Sequence, residues 1–544
     1  MATEAKGGHS DVLVIGAGAT GAITSLILAG AGLDVVCLEQ GGWTAAEDHP
    51  HFSRDWEWQK QGRWNPDTNV RQAASDYPVE TNSSNVLMWN AVGGSTNVYG
   101  ALWPRYRPSD FRKGVEHGLA PDWPITYEDL ADPYDRVDRL IGVSGLAGNP
   151  ALPPHGPYPT GPLPLRKSGR ALASAFDRLG WHWWTLPAGV IAEDYDGRPA
   201  CNGCGACTAG CARNSMNMFS LSIWPKALAA GVELRIQAAV ERVEKGQDGR
   251  ATGAVYIDRA SGRRVRQTAD VVVLACNGVG TPWLLQASDN LANSSDQVGR
   301  NLLHHTLTSV DIWGEDIVDT HMGYTGSLIS MEFAETDTSR GFVNGFNFNC
   351  AATGHAGSQS LGMLTRSPAP WGAAHHEWFR SRFDRGFGVF AIGDDLPSPD
   401  NRITLSASLK DELGRPAPKL RYVPGDNDER MMRYQLERLE EIAKAAGAVD
   451  YRLNDYKDAD GVYRTPAWHL LGTCRMGADP ESSVVNKWQQ SWDVPNLFIV
   501  DGSVLATGGV VNPTPTVTAL ALRAAEHLRD NFAELRRATK PLEA

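Results

Sequence analysis

The sequence contains no run of about 18 apolar residues, so no segment reads as a membrane-spanning helix. It also lacks an excess of positive charge. Lys and Arg number 51 against 63 Asp and Glu, a formal net charge of -12. Binding to phosphate backbones needs a basic face, so nucleic acid is excluded as a partner. Met1 to Ser10 is polar, with no apolar core of a secretion signal and no twin-arginine pair. A cytoplasmic location is therefore expected, and a periplasmic one only if a partner subunit carries the export signal. Cysteine is scarce, 8 residues in 544, and four of these fall between positions 201 and 211. That crowding in a large chain points to metal, redox or local packing rather than a disulfide framework.

The clearest unit lies at Asp11 to Gln40. Asp11-Val-Leu-Val-Ile15 reads as a buried strand, Ala22 to Ala31 as a helix and Leu33 to Leu38 as a second strand. Gly16-Ala-Gly18-Ala-Thr-Gly21 joins the first two. Gly16 permits the sharp turn, Gly18 lets the backbone approach a pyrophosphate at the helix N-terminus, and Gly21 allows helix and strand to pack closely. Glu39 ends the second strand, where a carboxylate accepts hydrogen bonds from ribose hydroxyls and repels a 2′-phosphate. The unit predicts a dinucleotide, NAD or FAD, without deciding between them.

Further along, residues 43–85 are aperiodic and rich in Trp, Asn and Asp, an excursion over the surface or over a site. Helices are expected at about 126–142, Ser168 to Leu179, Ser220 to Ala229 and Asp426 to Ala446. Strands are expected at Val232 to Ile236, Ala238 to Glu244, Ala251 to Asp258 and Asp270 to Ala275, and a Pro/Gly-rich connector at Gly145 to Pro164.

Three more stretches make the chain resemble the glucose–methanol–choline (GMC) oxidoreductases. They are Asn90-Ala-Val-Gly-Gly-Ser-Thr-Asn97 with Tyr99-Gly-Ala-Leu-Trp-Pro-Arg105, then Asp296-Gln-Val-Gly-Arg-Asn-Leu-Leu-His304-His305, then a block from Trp468 to about Leu528. The last contains His469-Leu-Leu-Gly-Thr-Cys-Arg-Met-Gly477, Asp501-Gly502-Ser503 and Asn512-Pro-Thr514-Pro-Thr. The resemblance implies FAD as cofactor. The pair Gly93-Gly94 and Asn97 would lie against the flavin ring, which a Cβ would keep away. Asp501, Gly502 and Thr514, the last at a helix N-terminus whose dipole suits a reduced flavin, complete that contact, and Val240 joins the cofactor-binding set.

By the same resemblance His469 is the catalytic base, its ordinary pKa lying near neutrality. Asn512 stands where the family has His or Asn, and orients the substrate oxygen by donating a hydrogen bond. His304 and His305 are expected to support the cofactor region. The reaction implied is oxidation of a CH–OH group, with a sugar, polyol, glycoside or aryl alcohol as substrate. Oxygen, a quinone or a redox protein would take the electrons, and a small or cytochrome subunit is a candidate partner. Trp56, Trp58, Trp64, Trp181, Trp183 and Trp184 suit stacking on sugar or aromatic faces, or core packing. A family lyase resembling hydroxynitrile lyases, or a light-driven flavoenzyme, are the alternatives.

Cys201-x2-Cys204-x2-Cys207-x3-Cys211 has ferredoxin-type spacing, but Ala212 replaces the usual Pro. An iron–sulfur cluster, as in the family's cluster-bearing sugar dehydrogenases, buried structural thiols and a zinc site all stay open.

The expected fold is α/β. A Rossmann-like FAD-binding domain would assemble from 1–50, 85–125, 200–308 and 465–544. A substrate domain and cap, built on a mostly antiparallel sheet, would take 51–84, 126–199 and 309–464, as in the GMC and p-hydroxybenzoate hydroxylase architecture.

Overall fold

A computed structural model describes residues 5–50, 53–71, 77–118, 120–351, 355–360 and 369–542. Met1–Glu4, part of the polar N-terminus discussed above, lie outside the described residues.

Two sheets organise the chain. The first has seven strands. Its path runs Glu233–Arg235, Val35–Leu38, Ala5–Ile15, Arg264–Leu274, Ala251–Asp258, Ala238–Lys245, and Leu497–Ile499 also pairs with Arg264–Leu274. The half of this sheet nearest the Gly-rich loop is parallel, Val14 lying opposite Cys37 on one side and Val273 on the other. Val12, Leu13 and Val14 are fully buried, as a central parallel strand covered on both faces requires. The far edge is an antiparallel hairpin, Ala238–Lys245 against Ala251–Asp258. The helices Ala19–Gly30 and Thr514–Asp530 pack against each other beside this sheet.

The second sheet has six strands, all antiparallel, in the order Asp450–Asn454, Thr306–Trp313, Gly386–Gly393, Phe346–Ala351, Gly326–Ser330, Trp184–Thr185. Side chains alternate across it. Phe346, Phe348, Val389 and Ala391 share a core with Met431 and Leu439 of the helix Asp426–Ala445 and Leu172 and Phe176 of the helix Lys167–Leu179. The opposite face, with Leu307, Asn349, Phe390 and Ile392, looks into a cavity.

Several element bounds differ from the sequence reading. The first strand reaches back to Ala5, because its polar start pairs with Val265 and Arg266 rather than hanging free. The helix expected over Ser220 to Ala229 is two, Phe219–Ser222 and Trp224–Ala229. Pro225 has no N–H to give the Leu221 carbonyl, and the ladder breaks there. The excursion at 43–85 contains the short helix Trp56–Gln61, and Trp56, Lys60, Asn65, Pro66 and Asp67 from it line the cavity. Among the described residues, no helix is long and apolar enough to cross a membrane.

Candidate active site

The cavity measures about 760 Å³ and runs from the Gly-rich loop to the antiparallel sheet. Its volume lies within the range that cofactors and drug-sized ligands occupy. Gly16, Gly18, Ala19 and Thr20 line one side. Gly16 sits at φ 102°, and a Cβ on it would lie 2.4 Å from the Ala275 carbonyl oxygen. A Cβ on Gly18 would meet only open space, the space a pyrophosphate needs. Gly21 does not line the cavity. A Cβ there would lie 2.0 Å from the Gly16 carbonyl oxygen, so this glycine is what lets the helix start against the loop.

Glu39 is buried and lines the same cavity beside that loop. Its two carboxylate oxygens each accept a backbone N–H, from Ala17 at 2.9 Å and Gly41 at 2.9 Å. Burial nevertheless raises its pKa, since those bonds do not fully replace water. Each oxygen keeps a lone pair for a sugar hydroxyl. Val240 lines this end too, and its carbonyl accepts from Arg415 Nη1 at 2.9 Å. Arg415, held by Asp411 at 2.7 Å and stacked over Trp283, was not singled out from the sequence. It lies amid ordinary charges, and no motif marks it.

Gly94, Asp501, Gly502 and Thr514 line the middle of the cavity. A Cβ on Gly94 would come within 3.0 Å of the Gly18 Cα, so this glycine presses the two Gly-rich turns together. Gly93 and Asn97 are not among the lining residues. Asn97 is fully buried, donating to the Val92 carbonyl at 3.0 Å and accepting from the Ser220 hydroxyl at 2.7 Å. The space beside Gly93 is taken by the Ser220 backbone. Both serve the turn that presents Gly94 rather than face the cavity. The Asp501 carboxylate accepts from the Ser503 N–H at 2.9 Å and from the Thr281 hydroxyl at 2.5 Å, so it caps its own turn.

His469 and Asn512 meet across the cavity wall, Asn512 Nδ2 lying 3.3 Å from His469 Nε2. The other ring nitrogen, Nδ1, lies 2.8 Å from His305 Nδ1. His305 Nε2 faces two carbonyl oxygens, Gly508 at 3.1 Å and Gly509 at 2.9 Å. Carbonyls only accept, so His305 Nε2 carries the proton. A neutral His305 then has a bare Nδ1 and accepts from His469 Nδ1–H. His469 Nε2 is left with a lone pair toward the cavity, where Asn512 donates to it.

Burial lowers the pKa of His469 well below the ordinary value, with the nearby His305 and His304 adding to the effect. Burial likewise lowers His305, against the opposing pull of Asp394, and takes His304 down to about 3. All three imidazoles are neutral near pH 7.

The backbone beneath them is held in place. His305 has φ 68°, a left-handed conformation that costs a non-glycine residue about 1–2 kcal/mol. Asp395 accepts the N–H groups of His304 and His305, both at 3.1 Å, and the Tyr422 hydroxyl at 2.8 Å. Those bonds over-determine the strained residue. Burial pushes Asp395 and its neighbour Asp394 up to about 6. Asp394 pairs with the buried Lys113, which also reaches Asp110 at 3.5 Å. His305 was expected to support the cofactor region. It instead contacts the proposed base, a role that only the fold reveals, since 163 residues separate the pair in sequence between them and nothing local pairs them. His304 lies tilted against Tyr422 with ring centroids 3.5 Å apart and does not line the cavity.

Of the six tryptophans considered for stacking, Trp56 alone lines the cavity. Trp64 stacks on Trp89, and Trp181 on Phe348, in packing roles. Trp89, Trp283 and Trp468 line it unforeseen.

The loop Cys201–Cys211 borders the cavity through Gly205 and Thr208. Cys207 is buried, Cys201 and Cys211 are half-buried, Cys204 is exposed, and all four are free thiols. Burial raises the thiols of Cys201, Cys207 and Cys211. Among the described residues no group of three or more His, Cys, Asp or Glu side chains is placed to hold a metal ion.

A Gly-rich turn at the end of a parallel strand thus opens onto a cavity lined by His469 and Asn512, the frame of an α/β dinucleotide-binding protein. The chain belongs to the GMC oxidoreductase family: the family's N-terminal model matches residues 10–307 and its C-terminal model residues 397–521, both described as GMC oxidoreductase. It is thus a member of a family of FAD-dependent flavoproteins that act on CH–OH groups. The chain is 44% identical over 542 residues to 2-methyl-1,2-propanediol dehydrogenase of Mycolicibacterium austroafricanum, covering 97% of this chain and 96% of that one. It is 29% identical to the fructose dehydrogenase large subunit of Gluconobacter japonicus, covering 96% and 98%. Among solved structures, pyridoxine 4-oxidase from Mesorbium loti superposes with a TM-score of 0.63 at 18% identity, covering 95% of this chain and 99% of that one. A formate oxidase from Aspergillus oryzae gives a TM-score of 0.63 at 16% identity, covering 98% and 100%. These two likenesses establish the fold.

Proposed function

We propose that this chain oxidises a small alcohol, a 1,2-diol foremost, with FAD as its cofactor and His469 as the base. The observation that carries this reading is the fixed tautomer of His469, whose Nε2 lone pair faces the cavity beside Asn512 Nδ2. A hydroxyl that reaches both from the cavity replaces the Asn512–His469 bond, giving its proton to Nε2 and accepting from Nδ2. As the proton arrives, the His469 Nδ1–H bond to His305 strengthens, because charged donors bond more tightly. Asn512 holds the oxygen and transfers no proton. When bound, FAD supplies the hydride acceptor for the alcohol carbon.

The residues present suit that cofactor. Gly16, Gly18 and the helix N-terminus at Ala19 would take the pyrophosphate, and Glu39 the ribose. Val240 and Arg415 would border the adenine, while Gly94, Gly502 and Thr514 would border the flavin ring. The two sheets would form the cores of a cofactor domain and a substrate domain. The diol assignment rests on the 44% relative, whose name specifies 2-methyl-1,2-propanediol, and on the apolar wall of Leu307, Phe390 and Ile392. That wall suits a short branched alcohol better than a sugar hydroxylated all round. The thiols of Cys201, Cys207 and Cys211 are assigned to packing.

Anaerobic mixing with 2-methyl-1,2-propanediol tests the reading. Bleaching of the flavin band near about 450 nm is expected, and His469→Ala should keep its FAD while bleaching at least about a hundredfold more slowly. A wild-type spectrum unchanged over a broad panel of alcohols, or an undiminished rate in His469→Ala, would overturn it.

A further inference from the structure

The antiparallel sheet meets the cavity with side chains of nearly uniform character. Leu307 faces Ile392 across one strand pair, and Asn349 faces Phe390 across the next. Leu307, Phe390 and Ile392 are apolar. Asn349 is the exception, an amide 4% exposed in an otherwise oily wall. Burying an amide without partners is costly, so such a group calls for an account.

Half of that account lies within the protein. Asn349 Nδ2 donates to Asn347 Oδ1 at 3.0 Å, and Asn347 Nδ2 in turn donates to the Val510 carbonyl. Asn347 and Asn349 are two apart on one strand and so share a face. Val510 lies two residues before Asn512. The chain of amides therefore ties the sheet directly to the segment that carries the substrate-orienting residue. It also fixes which way the Asn349 amide turns, with nitrogen toward Asn347 and oxygen away from it. Among the described residues Asn349 Oδ1 is not one of the sealed-in atoms that lack a partner, so it is open to space, and the side chain borders the same cavity as His469 and Asn512.

We infer that Asn349 is a specificity residue whose Oδ1 accepts the second, non-reacting hydroxyl of a diol while His469 and Asn512 hold the reacting one. The inference rests on the alcohol-oxidising reading above. A mono-alcohol of the same carbon skeleton leaves Oδ1 unpaired in an apolar wall and is disfavoured for that reason, because sites built to pair a hydroxyl reject ligands that lack it. The methyl groups of a branched diol would rest on Leu307, Phe390 and Ile392. The arrangement selects a short, branched molecule with two neighbouring hydroxyls over an unbranched alcohol and over a sugar.

The test compares anaerobic flavin reduction by 2-methyl-1,2-propanediol and by 2-methyl-1-propanol, which differ by one hydroxyl. The holoenzyme should prefer the diol, in rate constant over dissociation constant, by about tenfold to a hundredfold. Asn349→Leu, of similar size, and Asn349→Ala, which cannot overpack the wall, should each bring that ratio close to one. Flavin content of each variant is read from its spectrum, so a preparation without cofactor is recognised as such. Equal rates with the two alcohols in wild type overturn the inference, as does a diol preference retained in both variants. Reduction of the wild type by neither alcohol or by any other would instead overturn the alcohol-oxidising reading itself.

Discussion

Replacing His305 tests whether the base is oriented from behind. In His305→Leu the His469 Nδ1–H loses the acceptor now 2.8 Å away. The lost bond is worth about 0.5–1.5 kcal/mol, and a donor stranded in a buried place about 1–3 kcal/mol. The imidazole is then also free to turn or to adopt the tautomer with a protonated Nε2, which cannot take a proton. A combined loss of about 2–3 kcal/mol in the reactive state slows flavin reduction roughly 30- to 150-fold. His305→Gln places an amide oxygen near the same point and should recover part of the rate. Anaerobic stopped-flow over a range of pH adds a second readout. In the proposed role His469 acts unprotonated, so activity is present above its pKa and lost as pH falls through it. That pKa is depressed, by burial first and then by the neighbouring His305. The wild-type rate should therefore stay level as pH falls through about 6.5, the ordinary histidine value. In His305→Gln, with one imidazole removed, the acid limb should move up toward that value. A His305→Leu enzyme within about threefold of wild type, together with an unmoved acid limb in His305→Gln, would refute the orienting role.

Two further outcomes are expected. Gly21→Ala forces a Cβ toward the Gly16 carbonyl oxygen, 2.0 Å from its ideal position, and so prises the first helix off the loop. The purified variant should carry little flavin, read as the ratio of absorbance near about 450 nm to that of the protein. Iron and acid-labile sulfide analysis of the pure holoenzyme should give neither in stoichiometric amount, if Cys201, Cys207 and Cys211 serve packing as proposed. Stoichiometric iron that is lost in Cys207→Ser would reverse that assignment.

The cradle for the cofactor was legible in the sequence because its physics is local. Gly16, Gly18, Gly21 and Glu39 lie within one strand–helix–strand unit, and each spacing has a steric or electrostatic reason. The antiparallel second sheet was expected only in outline. Its strands, such as Phe346–Ala351 and Gly386–Gly393, are buried on both faces, so the period-two signal is blurred. His469 and Asn512 were found through motif resemblance, and the structure sets them side by side. What sequence could not supply is the company they keep. His305, Asp395, Lys113 and Asn349 come from separate segments, and no periodicity joins them. Asn97 looked like a ring contact beside two glycines, yet its amide is needed by Val92 and Ser220, since a tight turn leaves backbone groups to be satisfied.

The pairing of Leu497–Ile499 with Val272–Leu274 brings the segment bearing His469, Gly508 and Asn512 onto the same sheet as the Gly-rich loop. Parallel contacts between such distant stretches form slowly, because a long loop must close before they gain anything. Gly16 and Gly502 line one cavity, and its two walls are brought together by this strand pairing. A cofactor that spans both favours the docked form by mass action, in proportion to its concentration over its dissociation constant. A ligand held across both walls would therefore register, through its own binding, the pairing of a strand near residue 498 with one near residue 273.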